Sequence, residues 1–257
     1  MKIDRIASVL LGFSLALLNS ASFAEMHATA EFESGESRPV TVALLPAQVS
    51  LQKQRMIRRE DQVEEAGELE GYLTRAIAGE LVAKAYDVTE VTSDEINRDP
   101  DLQALVVEAN RRYDELLGNV SRRLRKQIES RRYHAGDTIT LLANRLGVDA
   151  IAFVRMQLVA AGKGVQVLNM GMGGAQTMMS VSLVDRNTTD IEAYVTLPIM
   201  RRGRTFGGYE AVMNNPDEEM AKYAEATLGD LLMAEPNLRL AEESGDDILG
   251  DLESLLE

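Results

Sequence analysis

Residues 182–195 read SLVDRNTTDIEAYV, and the fold turns on whether Asp185 and Asp190 are a catalytic pair or the two ends of a turn. On one side, Met179, Val181 and Leu183 alternate with Ser180 and Ser182; on the other, Ile191, Ala193, Val195 and Leu197 alternate with Glu192, Tyr194 and Thr196. A period of two on both flanks is the pattern of two strands that each bury one face. The interval DRNTTD consists of turn-forming types, because Asp, Asn and Thr side chains bond the backbone N–H groups beside them. The stretch is therefore predicted to be a β-hairpin. Both carboxylates then sit at strand ends in solvent, where nothing shifts them toward acid–base work near neutrality.

The neighbouring segments extend this reading. AIAFVRMQLVA (150–160) and VTVALLPA (40–47) are continuous apolar runs, the mark of strands covered on both faces. AYDVTEV (85–91) is a further strand, and after VTVALLPA the stretch containing Arg55, Arg58, Arg59, Glu60 and Asp61 reads as a polar connection. Leu69, Leu73, Ala76, Ile77 and Leu81 recur at helical spacing, with Gly71 and Gly79 each weakening that helix by about 1 kcal/mol. Between Asp101 and Arg132 the positions Leu102, Val106, Ala109, Tyr113, Leu116 and Val120 step by four and three, which predicts a long helix; Gly118-Asn119 is a candidate break in it. Asp137 is placed to cap a helix that Gly147 ends, and Asn215-Pro216 opens a last helix with Met220, Ala224, Leu228 and Leu231 on its buried stripe. The pattern predicts one α/β (α+β) domain over residues 39–235, a mixed sheet of about five strands with helices packed on it.

Composition narrows the function classes. The 257 residues carry a formal charge of -14, which repels phosphate and anionic lipid and argues against nucleic-acid binding. Absence of Cys removes disulfides, thiolate zinc sites and thiol nucleophiles. Residues 1–24 have the form of a secretory signal: Lys2 and Arg5, an apolar run from Ile6 to Leu18, then Ser22-Phe23-Ala24 as a small-x-small cleavage site. The apolar run is short for a membrane span, so cleavage after about Ala24 and a periplasmic product are expected, with a retained anchor as the alternative. EMHATAEFESGESR (25–38) reads as a flexible lead-in, and residues 236–257 as an acidic tail.

The order of elements has a relative in kind. VALLPA (42–47), LLANRLGVDAIAFV (141–154) and VSLVDRNTTDI (181–191) resemble the opening strand, the helix-Gly-Asp-strand step and the hairpin of periplasmic modules in the group of the TolB amino-terminal domain, LpoB and CsgG. Ala47 stands where that group commonly has an aromatic, and Thr189 where Gly would follow Thr188. The resemblance implies a mixed sheet carrying helices and a role as an envelope scaffold or adaptor; it implies no catalytic residues.

Three features could carry function. The strip Arg111, Arg112, Arg122, Arg123, Arg125, Lys126, Arg131 and Arg132 concentrates positive charge in an acidic chain, either to attract an acidic partner or simply as a solvated helix face. In the tail, Ile248, Leu249, Leu252, Leu255 and Leu256 form an apolar stripe that must find a groove, on an envelope protein or on this chain. NMGMGGAQTMM (169–179) gathers Met170, Met172, Met178 and Met179, soft thioethers suited to Cu(I), although methionine is also ordinary core filler. No cofactor is expected. A hydrolase built around His134 is the remaining alternative; a solvent-facing or cap-associated histidine is the simpler reading.

Overall fold

A computed structural model of the chain describes residues 24–54, 59–118, 128, 134–161, 175–197 and 209–234. Its organising strand is β6 (Ala150–Ala161). The predicted hairpin lies beside it: β7 (Ala175–Asp185) runs antiparallel to β6, and β8 (Ile191–Leu197) antiparallel to β7. On its other side β6 takes two parallel partners in succession, β2 (Thr41–Leu44) along Ala150–Ala152 and β3 (Gln48–Gln54) along Arg155–Ala161. β5 (Asp87–Glu90) adds to β2 in parallel, β4 (Arg59–Asp61) adds to β3, and β1 (Glu25–Ala28) adds to β8, both antiparallel. The result is a mixed eight-stranded sheet.

Seven helices among the described residues cover its two faces. They are α1 (Ala30–Ser34), α2 (Val63–Ala83), α3 (Ser93–Arg98), α4 (Pro100–Gly118), α5 (Asp137–Leu146), α6 (Tyr209–Asn214) and α7 (Pro216–Leu228). One core lies between the sheet and α1, α2 and α7, where Phe32, Leu69, Leu73, Ile77, Met220 and Tyr223 meet Ala152, Val154 and Val181. The other lies under α4 and α5, where Val106, Ala109, Tyr113, Ile139 and Leu142 meet Ile151 and Phe153. β2 and β6 contribute alternate residues to both cores, which is why they read as unbroken apolar runs. No helix among the described residues is long and apolar enough to cross a membrane.

The mixed α/β class stands, and four local readings are corrected. Residues 25–38 are not a flexible lead-in: they form β1 and α1, and Phe32 is buried. The polar connection after the first strand is not only a connection, since the chain there supplies β3 and, at Arg59–Asp61, β4. Gly136, at φ 84, occupies the N-cap of α5, so Asp137 is the first helical residue and makes no cap bond. The helical pattern from Asp101 begins earlier, at Pro100, because Asp99 caps it: its Oδ1 accepts from the Asp101 and Leu102 N–H groups, each at 3.1 Å. Residues 1–23, which hold most of the expected signal, Asn119, the 201–208 loop and residues 236–257 lie outside the described residues.

Gly79 stands in α2 with nothing within 4 Å of the position a Cβ would take. Gly79→Ala should therefore stabilise the fold by about 1 kcal/mol, read as a higher urea midpoint with an unchanged slope.

Candidate functional site

The hairpin tip that opened the question is a tied turn. The Asp185 Oδ1 accepts from the Asn187 and Thr188 N–H groups, both at 2.7 Å, and from the Thr188 hydroxyl at 3.2 Å. Three donors on one oxygen give this carboxylate a structural task. The rest of the loop is fastened to the helix layer: the Thr140 hydroxyl donates to the Arg186 carbonyl at 2.8 Å, and the Arg186 N–H to the Asp149 carbonyl at 2.8 Å.

Asp190 departs from expectation. It is 3 % exposed, not in solvent, and its Oδ1 lies 2.8 Å from Nδ1 of His134, whose side chain is 63 % exposed. His134 and Asp190 also form an isolated antiparallel bridge, and the Ala135 N–H donates to the Thr189 carbonyl at 2.8 Å. A buried carboxylate on Nδ1 fixes the imidazole's orientation, the arrangement that a general base uses when a nucleophile faces Nε2. Here the described contacts of the ring are Asp190 and the Thr188 carbonyl at 3.5 Å, so the pair clasps residues 134–136 to the hairpin.

Thr189 completes the turn at φ 57, a left-handed conformation that disfavours a β-branched residue. Its backbone N–H and carbonyl both bond, to the Asp185 carbonyl and from the Ala135 N–H, and neither bond needs the side chain. Thr189→Gly should raise stability by about 1 kcal/mol through relief of that strain, measured by chemical denaturation.

Two polar clusters lie elsewhere on the sheet. β8 carries one extra residue between the pairs Leu183–Ala193 and Val184–Ile191, and that residue is Glu192. The bulge brings its 1 % exposed carboxylate to the Thr29 and Ser37 hydroxyls, both of which donate to Oε2. Under α4, the Tyr113 ring stacks on Phe153 with centroids 4.3 Å apart, and its hydroxyl bonds Ser182. Arg155 lies over the Tyr113 ring at 5.0 Å and donates to Asp114 Oδ1 and Asn110 Oδ1, each at 2.8 Å. Burial pushes the Tyr113 hydroxyl well above the usual tyrosine range, so it stays protonated.

The predicted contact residues fare unevenly. Arg111 and Arg112 are on α4 but face acidic neighbours: Arg111 pairs with Glu108 at 2.6 Å and with Glu115, and Arg112 with Glu108 at 2.9 Å. The hydrogen bond from Arg111, helped by Arg112, pulls Glu108 down to about 2. These two arginines are thus paired within their own helix rather than presented as bare positive charge. Arg122, Arg123, Arg125, Arg131 and Arg132 lie outside the described residues, as do Ile248, Leu249, Leu252, Leu255 and Leu256. Of the four methionines, Met170 and Met172 also lie outside them. Met178 is 47 % exposed whereas its neighbour Met179 is buried in the core, on the opposite face of β7, so these two thioethers do not converge. Among the described residues no group of three His, Asp or Glu side chains is placed to hold a metal ion.

No protein-family model and no curated protein sequence matches the chain. Among solved structures it is similar to the PelC dodecamer from Paraburkholderia phytofirmans in space group P6, at 9% identity and a TM-score of 0.35, covering 79% of this chain and 94% of that one. A variant PelC dodecamer of the same organism in space group C2 gives 10% identity and a TM-score of 0.34, with 79% and 95% covered.

Proposed function

We propose that this chain is an exported, non-enzymatic adaptor of the cell envelope that binds a protein partner. The observation that carries the reading is the use to which its polar side chains are put. Asp185 holds a turn, Asp190 and His134 clasp a loop to a hairpin, Glu192 anchors the amino-terminal segment, and Tyr113, Ser182 and Arg155 fasten α4 to the sheet. Groups committed to structural bonds are held in place, and of those named here His134 alone is largely exposed, with Asp190 and the Thr188 carbonyl as the described contacts of its ring and no nucleophile among them. The resemblance to the TolB amino-terminal domain group supports the same role, as does the signal-like segment for a periplasmic location. A stable membrane insertion and nucleic-acid binding form no part of the proposal.

The tail stripe Ile248, Leu252 and Leu255 is the contact element we favour, because its apolar side has more to gain from a partner groove than paired arginines have. Crosslinking in intact cells tests this with the full chain and with a chain lacking residues 236–257. Loss of a specific crosslinked envelope protein on truncation supports the adaptor; an unchanged set of crosslinks removes the tail from it.

A further inference from the structure

Ala24 is 8 % exposed and belongs to the core beneath α2 and α7. Immediately after it, Glu25, Met26, His27 and Ala28 pair with Thr196, Val195, Tyr194 and Ala193 of β8. The Thr29 N–H then donates to the Glu192 carbonyl at 3.0 Å, and the Thr29 hydroxyl bonds both the Glu192 carboxylate and, as acceptor at 3.2 Å, the Phe32 N–H. The peptide bond between Ala24 and Glu25 is thus flanked by a core residue on one side and a paired edge strand on the other. It is also the bond that the small-x-small pattern Ser22-Phe23-Ala24 marks for cleavage. A peptidase needs the chain extended and accessible on both sides of the cut, and proteolysis is accordingly found where backbone is unpaired.

We propose that cleavage after Ala24 and docking of β1 on β8 compete for the same residues, so that the order of the two events sets the form of the protein. A chain cut first docks β1 as a free amino terminus. A chain that docks β1 first shields the bond and keeps its leader. Cleavage adds one water across the Ala24–Glu25 bond, leaving a carboxylate on the leader and an ammonium on Glu25. It removes only the Ala24 methyl from the core, so the cut chain completes the same sheet. The proposal rests on the reading of residues 1–24 as an export signal, and its test separates the two.

The full 257-residue chain in detergent is incubated with purified signal peptidase in three forms. These are folded, freshly diluted from urea, and folded with a flexible Gly/Ser spacer of about ten residues inserted between Ala24 and Glu25, which carries the bond clear of β1. Matching urea midpoints confirm that the two folded forms share one fold, and mass spectrometry identifies the cut. The folded native chain should be cut at least roughly tenfold more slowly than either other form. Thr29→Val, which loosens β1 from Glu192, should recover part of the rate. Equal, rapid cutting of the native and spacer chains overturns the competition while sparing the export reading. Failure of all three forms to be cut after Ala24 overturns both.

Discussion

Tyr113→Ala should be among the most damaging single substitutions in this chain, costing about 4 kcal/mol in urea unfolding. The ring is wholly buried, stacks on Phe153 and lies under the Arg155 guanidinium, so its removal opens a cavity between α4 and the sheet that neighbours on two rigid elements cannot close. Tyr113→Phe separates the hydroxyl from the ring. It keeps the packing but leaves the buried Ser182 hydroxyl without its partner, at about 1–2 kcal/mol. A pH dependence follows with a definite sign. Tyr113, Tyr86 and Tyr223 are all pushed up by burial, so each remains neutral in the fold where the unfolded chain would ionise. Their contribution is complete below the ordinary tyrosine range and is lost as pH rises above it. Unfolding free energy should therefore fall in alkaline solution, and Tyr113→Phe should flatten that decline.

The sequence made this layer legible only in part, for reasons that particular residues display. Leu102, Val106, Ala109 and Tyr113 step by four and three and are indeed buried, because helical periodicity reports one face of one element. That Ser180 and Ser182 would also be buried was not visible. A serine opposite apolar neighbours reads as solvent-facing until a long helix is known to cross that side of the strand and bring a tyrosine hydroxyl to it. Asp190 reads as solvent-facing for a similar reason: its partner His134 is far away in sequence. Other elements have readable signals. Thr92 and Glu95 form a capping box that opens α3, and Asp99-Pro100 announces α4. Gly147 at φ 71 is legible as a helix stop because its residue type and position carry that information locally. The Glu192 bulge had no such signal, since one extra residue in a strand alters a register that only the partner strand defines.

Phe32→Ala should destabilise by about 3–4 kcal/mol, lowering the thermal midpoint by roughly 10 °C, and it decides directly whether residues 25–38 belong to the domain. By composition the segment is small, polar and acidic, and one aromatic among such neighbours carries no period. In the fold that aromatic is fully buried, the Thr29 hydroxyl caps the helix bearing it, and the Arg38 guanidinium stands 5.7 Å over its ring. A lead-in would tolerate the change within about 0.5 kcal/mol, as the exposed Glu33→Ala should. Removing residues 25–38 altogether should cost more than losing Phe32, because it strips β8 of its outer partner and takes the Thr29 and Ser37 hydroxyls from a buried carboxylate. Glu192→Gln in the truncated chain should then recover part of the loss, since an amide is cheaper to bury than a carboxylate deprived of its donors. The same substitution in the intact chain should destabilise, because it weakens the bonds that both hydroxyls make. That reversal of sign, read from paired urea curves, distinguishes a charge held by the amino-terminal segment from one that the rest of the sheet would support unaided.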